Sequence, residues 1–416
     1  FSFYNRFSED HPEPTRRNSP QVFSWGVQDS YEYFMRNSTL KGLIEKDFSS
    51  PTSYFTILKN NPDYNDYWKS TDPRPHLKNI SAAVMTVGGW FDAEDCWGAQ
   101  KTYEAIENQN PGAENIVVIG PWSHGQWALN GGENMGNMYW GMNANDRFHE
   151  QEVAFFNYYL KGEGENDLPE ALIFMTGANE WREFDTWPPE NVKVETMYFS
   201  DDEQLSVEKP QEKKVFDEYV SDPNKPVPYT EDVHLLRSAN YMTDDQRFAS
   251  RRPDVLVYET EVLEEDYTLT GTMIADLYVS TTGTDADFIV KVIDVYPDNA
   301  QPLPDQDIDM PLGGYQMLVR GEVFRGRYRN SLEKPEAFVP GEITQVKYEL
   351  PGIAHTFKKG HRMMVQVQSS WFPLVDRNPQ TFVDIYNCNE SDFQKASHRI
   401  YRNKKYPSGL QVMVLE

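Results

Sequence analysis

Asp92 and His124 are the residues of this chain whose types and setting could do chemistry together. Asp92 closes the run Gly88-Gly89-Trp90-Phe91-Asp92, directly after an apolar stretch at 82–87. His124 closes Gly120-Pro121-Trp122-Ser123-His124, directly after a second apolar stretch at 116–119. An imidazole can take a proton from a hydroxyl nucleophile and return it to a leaving group, while a carboxylate on its other nitrogen fixes the tautomer and steadies the imidazolium. Taken singly, Asp92 reads equally well as a helix cap, and His124 as a histidine on a surface loop. Taken as a pair, acid before histidine and each just past an expected strand, they read as the later two members of a nucleophile–acid–histidine relay.

The third member is not found. No serine lies in a Gly-x-Ser-x-Gly turn, and Ser123, the nearest miss, has Pro121 where the first glycine belongs. The nucleophile and the oxyanion donors are therefore expected ahead of Phe1. Cys96 reads as a small core residue rather than a substitute nucleophile. The remaining histidines are scattered, with no H-E-x-x-H spacing, so neither a metal centre nor a cofactor is expected. Asp305, Asp307 and Asp309 alternate without the glycine and closing acid of a calcium loop, and read as a solvated acidic loop.

The elements that must position the pair follow a clear pattern. A strand at 82–87, a helix from Glu94 to about Asn108 and a strand at 116–119 form one strand–helix–strand unit, with Trp97, Tyr103 and Ile106 on the helix's inward face. A further helix, from about Asn145 to Leu160, stops at Gly162 and Gly164. This is the trailing half of a doubly wound parallel sheet. Ahead of it, residues 1–23 are polar and proline-dotted. Tyr31, Phe34, Leu40, Leu43 and Ile44 then recur at helical spacing behind a cap at Asp29 or Ser30. Beyond Pro169 short runs rich in Val, Ile, Tyr and Thr alternate with turns, beginning with 171–176, which indicates an antiparallel sandwich of jelly-roll type.

Bulk properties narrow the classes. A chain of 416 residues, 39% hydrophobic and 14% aromatic, is long enough for two or three cored domains. A formal charge of −26, spread along the chain, disfavours nucleic acid and anionic membrane as partners. Two cysteines, Cys96 and Cys388, exclude a disulfide framework. The chain opens at Phe1 rather than at methionine, so a targeting segment ahead of it stays open.

The motifs then resemble one family. Gly88-Gly89-Trp90-Phe91-Asp92-Ala93-Glu94-Asp95-Cys96-Trp97-Gly98 and Gly120-Pro121-Trp122-Ser123-His124-Gly125 are similar to the acid and histidine motifs of the cocaine esterase, X-Pro dipeptidyl-peptidase and α-amino acid ester hydrolase superfamily. The branch they resemble most holds α-amino acid ester hydrolases and glutaryl 7-aminocephalosporanic acid acylase-like proteins. Pro62-Asp63-Tyr64-Asn65-Asp66-Tyr67-Trp68 resembles its cap segment. Gly177-Ala178-Asn179-Glu180-Trp181-Arg182 and Trp187-Pro188-Pro189 resemble the start of its jelly roll, and Trp371-Phe372-Pro373 with Arg377-Asn378-Pro379 its C-terminal β-domain. The resemblance makes Asp92 the triad acid and His124 the base. It implies carboxylates that bind a substrate's α-ammonium group, for which Asp63 and Asp66 are the candidates, and Trp90 joins them as a substrate contact. Glu94 and Asp95 are assigned to the helix start, where negative charge suits the dipole.

The expected fold is α/β plus all-β: a helical cap remnant (1–78), the C-terminal half of an α/β-hydrolase domain (79–168) and a jelly-roll β-sandwich (169–416). Roughly two hundred further residues are expected upstream. The expected activity is hydrolysis of a small-molecule ester or amide through an acyl-enzyme, with the serine supplied by the N-terminal part of the same protein, itself the expected partner. These 416 residues alone are expected to be inactive, and homo-oligomer formation stays open. The alternative reading is a non-catalytic jelly-roll module that binds carbohydrate or a protein through exposed aromatics such as Trp187 or Trp371.

Overall fold

The computed structural model describes residues 26–37, 39–47, 54–129, 131–302 and 311–416. The proline-dotted stretch at 1–23 and the alternating aspartates at 305–309 lie outside the described residues.

Four short helices come first: α1 (Ser30–Arg36), α2 (Leu40–Asp47), α3 (Tyr54–Asn60) and α4 (Asp66–Thr71). Asp29 caps α1 by accepting the Tyr31 amide at 2.8 Å. Tyr33 and Leu43 form a small core with Phe34, Ile44 and Leu58. These helices lean on the C-terminal half of the chain. Tyr31 Oη donates to the Pro226 carbonyl (3.0 Å), the Tyr64 amide donates to Leu332 (3.0 Å), and Lys69 pairs with Glu333 at 2.8 Å.

The second layer is built on β1 (Val84–Gly89), α5 (Cys96–Gln109), β2 (Asn115–Gly120), a ribbon of β3 (Asn134–Met135) and β4 (Met138–Tyr139), and α6 (Ala144–Phe156). β5 (Ala171–Met175) and β6 (Glu180–Phe184) complete its sheet in the order β1-β2-β5-β6, the first three parallel and β6 antiparallel. Every residue of β2 and β5 is buried, which explains their unbroken apolar runs. The segment at 171–176, expected to open the sandwich, is therefore the third parallel strand of the first sheet, and the sheet is shared across the 168/169 junction. α5 begins at Cys96 rather than Glu94, and Trp97, expected to face inward, is instead 42% exposed beside Arg74.

The rest forms two facing antiparallel sheets. The strands are β7 (Val192–Phe199), β8 (Leu205–Ser206), β9 (Phe216–Ser221), β10 (Leu256–Glu259), β11 (Tyr267–Thr281), β12 (Asp287–Val295), β13 (Gln316–Arg325), β14 (Thr344–Phe357), β15 (Arg362–Gln368), β16 (Ala396–Tyr401) and β17 (Gly409–Leu415). One sheet runs β8-β7-β17-β11-β16-β9 with β14 on β11, and the other runs β10-β15-β12-β13. Their inner faces meet in one core: Leu269, Leu277, Val279 and Val412 from the first, Phe288, Val290, Val365 and Val367 from the second. Phe199 and Tyr258 stack across the gap at 4.1 Å. Trp187 and Trp371, expected as surface aromatics for a binding face, are 7% and 5% exposed and packed in cores.

The parallel sheet and the sandwich are joined along one line. Thr176, directly after β5, exchanges backbone hydrogen bonds with β14: its amide donates to Ala354 (3.0 Å) and its carbonyl accepts from Thr356 (2.8 Å). Gly177 follows with φ +79°, and a Cβ there would lie 2.1 Å from the Thr356 carbonyl oxygen. Thr176 Oγ1 meets His355 Nδ1 at 2.8 Å, His355 Nε2 meets Asp294 Oδ2 at 3.2 Å, and His361 Nδ1 meets Asp294 Oδ1 at 2.8 Å. Burial opposes ionisation of Asp294, but the hydrogen bonds from His355 and His361 outweigh it and hold the carboxyl below its usual range.

Candidate active site

β1 and β2 end side by side, and two glycines let their exits close up. A Cβ on Gly89 would lie 2.1 Å from the Trp122 carbonyl oxygen, and one on Gly120 would lie 2.5 Å from the Trp122 ring. The two turns are then laced together. The Trp90 amide donates to Gly120 (2.9 Å), and the Phe91 amide to Trp122 (3.0 Å). Asp92 and His124 follow directly on these two tied backbones.

Asp92 is 2% exposed and uses its two oxygens for different tasks. Oδ1 accepts the amides of Glu94 (2.8 Å) and Asp95 (2.9 Å), and Oδ2 lies 2.9 Å from His124 Nδ1. One side chain thus closes the turn ahead of α5 and orients the histidine. An ionised carboxylate can only accept, so Nδ1 carries the proton and Nε2 is left as the basic nitrogen. The His124 side chain is 52% exposed. Its hydrogen bond to Asp92 holds its pKa above the ordinary histidine value, aided by the charges of Asp92, Glu94 and Asp95 and opposed by partial burial.

The histidine loop is braced from beneath. Gln126 Oε1 accepts the Ser123 amide (3.0 Å) and hydroxyl (3.2 Å), while its Nε2 donates to the carbonyls of Gly131 and Asn134. Gly125 makes the turn with φ +70°. Asn145, buried in the first turn of α6, accepts from Trp122 Nε1 (2.7 Å) and donates to the carbonyls of Gln126 (3.3 Å) and Leu129 (2.6 Å). Neither residue stands out in the sequence, because amide side chains in loops carry no spacing signal.

The other sequence candidates fall differently. Asp95, assigned to the helix start, makes no side-chain cap; its carboxylate lies 3.5 Å from His124 Nδ1 and is 67% exposed. Glu94 is also exposed, and its Oε1 is 2.6 Å from Arg237 Nη2. Trp90 is buried with its indole N–H spent on the Phe174 carbonyl at 2.8 Å, so its ring offers no open face to a substrate. Asp63 accepts from Tyr328 Oη (2.9 Å) at a cleft of about 550 Å³ between the N-terminal helices and the sandwich. Asp66 lies in the first turn of α4 and faces solvent. No hydrogen bond or ion pair among the described residues joins Asp63 or Asp66 to His124. Cys96 is a buried free thiol, pushed up by burial, as a core residue should be.

Asp92, Asp95 and His124 each place one donor atom within 4.8 Å of the others, the arrangement a metal ion could use. The 2.9 Å separation of Nδ1 and Oδ2 is a hydrogen-bond length. Two ligand atoms on a tetrahedral zinc lie about 3.3 Å apart. The geometry is that of a proton-sharing pair.

Known proteins share this arrangement of sheets. Residues 15–126, which include Asp92 and His124, match the model of the X-Pro dipeptidyl-peptidase S15 family. Residues 164–411 match the X-Pro dipeptidyl-peptidase C-terminal non-catalytic domain. Cocaine esterase of Rhodococcus sp. (strain MB1 Bresler) is 29% identical over 370 residues, covering 86% of this chain and 60% of that protein, so the chain spans less than two thirds of this relative. An aminopeptidase from the marine sediment archaeon Thaumarchaeota archaeon superposes with a TM-score of 0.90 at 36% identity, covering 97% of this chain and 67% of that one. An α-amino acid ester hydrolase superposes with a TM-score of 0.86 at 32% identity, covering 93% and 65%. The chain belongs to the X-Pro dipeptidyl-peptidase S15 family, within the superfamily that also holds cocaine esterase and α-amino acid ester hydrolase.

Proposed function

We propose that this chain carries the acid and base of a serine hydrolase that cleaves esters or amides of small acyl groups. The observation that carries the reading is the 2.9 Å contact between His124 Nδ1 and Asp92 Oδ2, with Asp92 buried and its other oxygen held by two amides. His124 Nε2 takes the proton of the attacking serine, the resulting imidazolium is balanced by Asp92, and the proton passes to the leaving alcohol or amine. Water then repeats the sequence on the acyl-enzyme. The nucleophile and the oxyanion donors come from outside these residues. Ser123 is unsuited because its hydroxyl points to Gln126 Oε1, and among the described residues no serine hydroxyl bonds to His124. In this reading the first sheet is the second half of an α/β-hydrolase sheet, residues 1–78 are cap, and the sandwich from 169 is a jelly roll.

Substrates carrying an amino group suit the rim of the site. Asp95 sets an exposed carboxylate beside His124, a better place for an α-ammonium group than Asp63 or Asp66. Two of the similar structures are named for amino acid esters and aminopeptidase action. The test is to assay the natural full-length protein on p-nitrophenyl esters and ampicillin-type amides beside its His124→Ala variant. A loss of about a thousandfold or more is expected. Undiminished activity in the variant would remove the assignment.

A further inference from the structure

We infer that Arg237, from the segment matched to the non-catalytic domain, is a specificity-determining residue that limits how strongly the site selects cationic substrates. The inference rests on reading Asp92 and His124 as acid and base.

Residues 229–246 leave the sandwich and cross to the triad turn. The excursion is closed at its base by Thr230 Oγ1 donating to Asp244 Oδ2 (2.8 Å), and fastened to the parallel-sheet layer by Thr243 Oγ1 donating to the Met135 carbonyl (3.0 Å). The Ser30 amide holds its middle through the His234 carbonyl (2.9 Å). Tyr229 and Tyr241 pack in one cluster with Ala93, the residue after Asp92. Arg237 is the one arginine or lysine between Glu231 and Asn240. Its Nη2 lies 2.6 Å from Glu94 Oε1, and the Glu94 amide is one of the two that hold Asp92 Oδ1.

The rim therefore contains two carboxylates of different standing. Among the described residues Asp95 has only His124 as a charged partner, whereas Glu94 is countered by Arg237. A substrate ammonium meets one free carboxylate rather than two, together with a guanidinium that repels it. Removing that guanidinium restores the second carboxylate to the approaching ligand and adds an uncompensated negative charge near His124.

The experiment compares the natural full-length protein with Arg237→Gln and Arg237→Lys on paired p-nitrophenyl esters of equal size, one with an α-ammonium group and one neutral. In Arg237→Gln the ratio of kcat/KM, cationic over neutral, should rise about two- to fivefold, the range for a partly exposed charge pair. Arg237→Lys should keep the parent ratio, and Arg237→Gln should add nothing in a Glu94→Gln background. An unchanged ratio in an active enzyme overturns the inference. A parent without hydrolytic activity counts against the triad reading, and the decision then passes to the His124 ring signals in the NMR spectrum of the 416-residue chain. There Arg237→Gln should raise the His124 titration midpoint, and an unmoved midpoint overturns the inference.

Discussion

Asp92 and His124 are joined at 2.9 Å although one is buried and the other half exposed. The carboxylate is fixed by the fold, with two amides on Oδ1, and the imidazole is the part that faces outward. An acid anchored in this way costs no reorganisation when the imidazolium forms.

Asp92→Asn tests that division of labour. The amide oxygen can still accept the Glu94 and Asp95 amides, so the turn should survive, but the amide group favours the wrong histidine tautomer. In the full-length protein kcat should fall about 10³- to 10⁴-fold. Circular dichroism and the unfolding midpoint should stay close to the parent, and a kcat within tenfold of the parent would contradict the role given to Asp92.

The pH profile follows from the raised pKa of His124. A base works when neutral, so the acidic limb of kcat/KM should have its midpoint above the ordinary histidine value of about 6.5. For stability the sign is that of a group whose folded pKa exceeds its unfolded one. The His124–Asp92 contribution is complete below about pH 6.5 and fades as pH rises through the folded value. In Asp92→Asn the midpoint of the ring titration, read by NMR, should drop toward the ordinary value.

Lys291 should make the protein more stable as pH rises. It is fully buried on β12, its amine hydrogen-bonded among the described residues only to Gln246 Oε1 at 2.9 Å, and burial lowers its pKa to about 7. The unfolded chain holds the proton up to about pH 10.4. The penalty for burying the charge is therefore complete below about pH 7 and declines above it. Lys291→Met should stabilise by about 2–4 kcal/mol at pH 6.5 and by much less at pH 10. Equal shifts in urea midpoint at both pH values would show that the amine is not the cause.

Gly89→Ala should damage the site through the backbone alone. The added Cβ would sit 2.1 Å from the Trp122 carbonyl, which must move, and that carbonyl holds the Phe91 amide at the turn into Asp92. A stability loss of about 1–3 kcal/mol is expected. Activity should fall further than the unfolded fraction explains, and a variant with normal denaturation and normal kcat would refute the close approach.

The strand–helix–strand frame of the site was legible because fully buried parallel strands write unbroken apolar runs and the glycines mark where they must converge. The same logic misled at 171–176, where a run of five buried residues belongs to the parallel sheet rather than the sandwich. β9, paired with β16, writes only a weak alternation of polar and apolar residues over Phe216–Ser221. Trp90 was misplaced because a sequence position beside a catalytic residue says nothing of where an indole turns; here it turns inward. Trp97 was misplaced because it lies nine positions before Ile106, about half a turn round the helix, so the two cannot share a face. Asp95 was read as a charge at the helix start rather than as a neighbour of His124, and Arg237 could not be read at all. The contact of Arg237 with Glu94 spans 143 positions and exists only because a sandwich excursion reaches the other layer.

The line at Thr176, where β5 hands its backbone to β14, gives the molecule a weld rather than a hinge. A strand that belongs to the parallel sheet at one end and borders the sandwich at the other cannot slide or rock without breaking main-chain hydrogen bonds. The buried His355–Asp294 contact beside it would be severed as well. Heat or force should therefore find one cooperative block in which the two layers fail together. Cutting the chain at 168/169 to obtain separate parts would leave that seam within the C-terminal piece and strip β5 from β2, splitting the parallel sheet instead of releasing two domains.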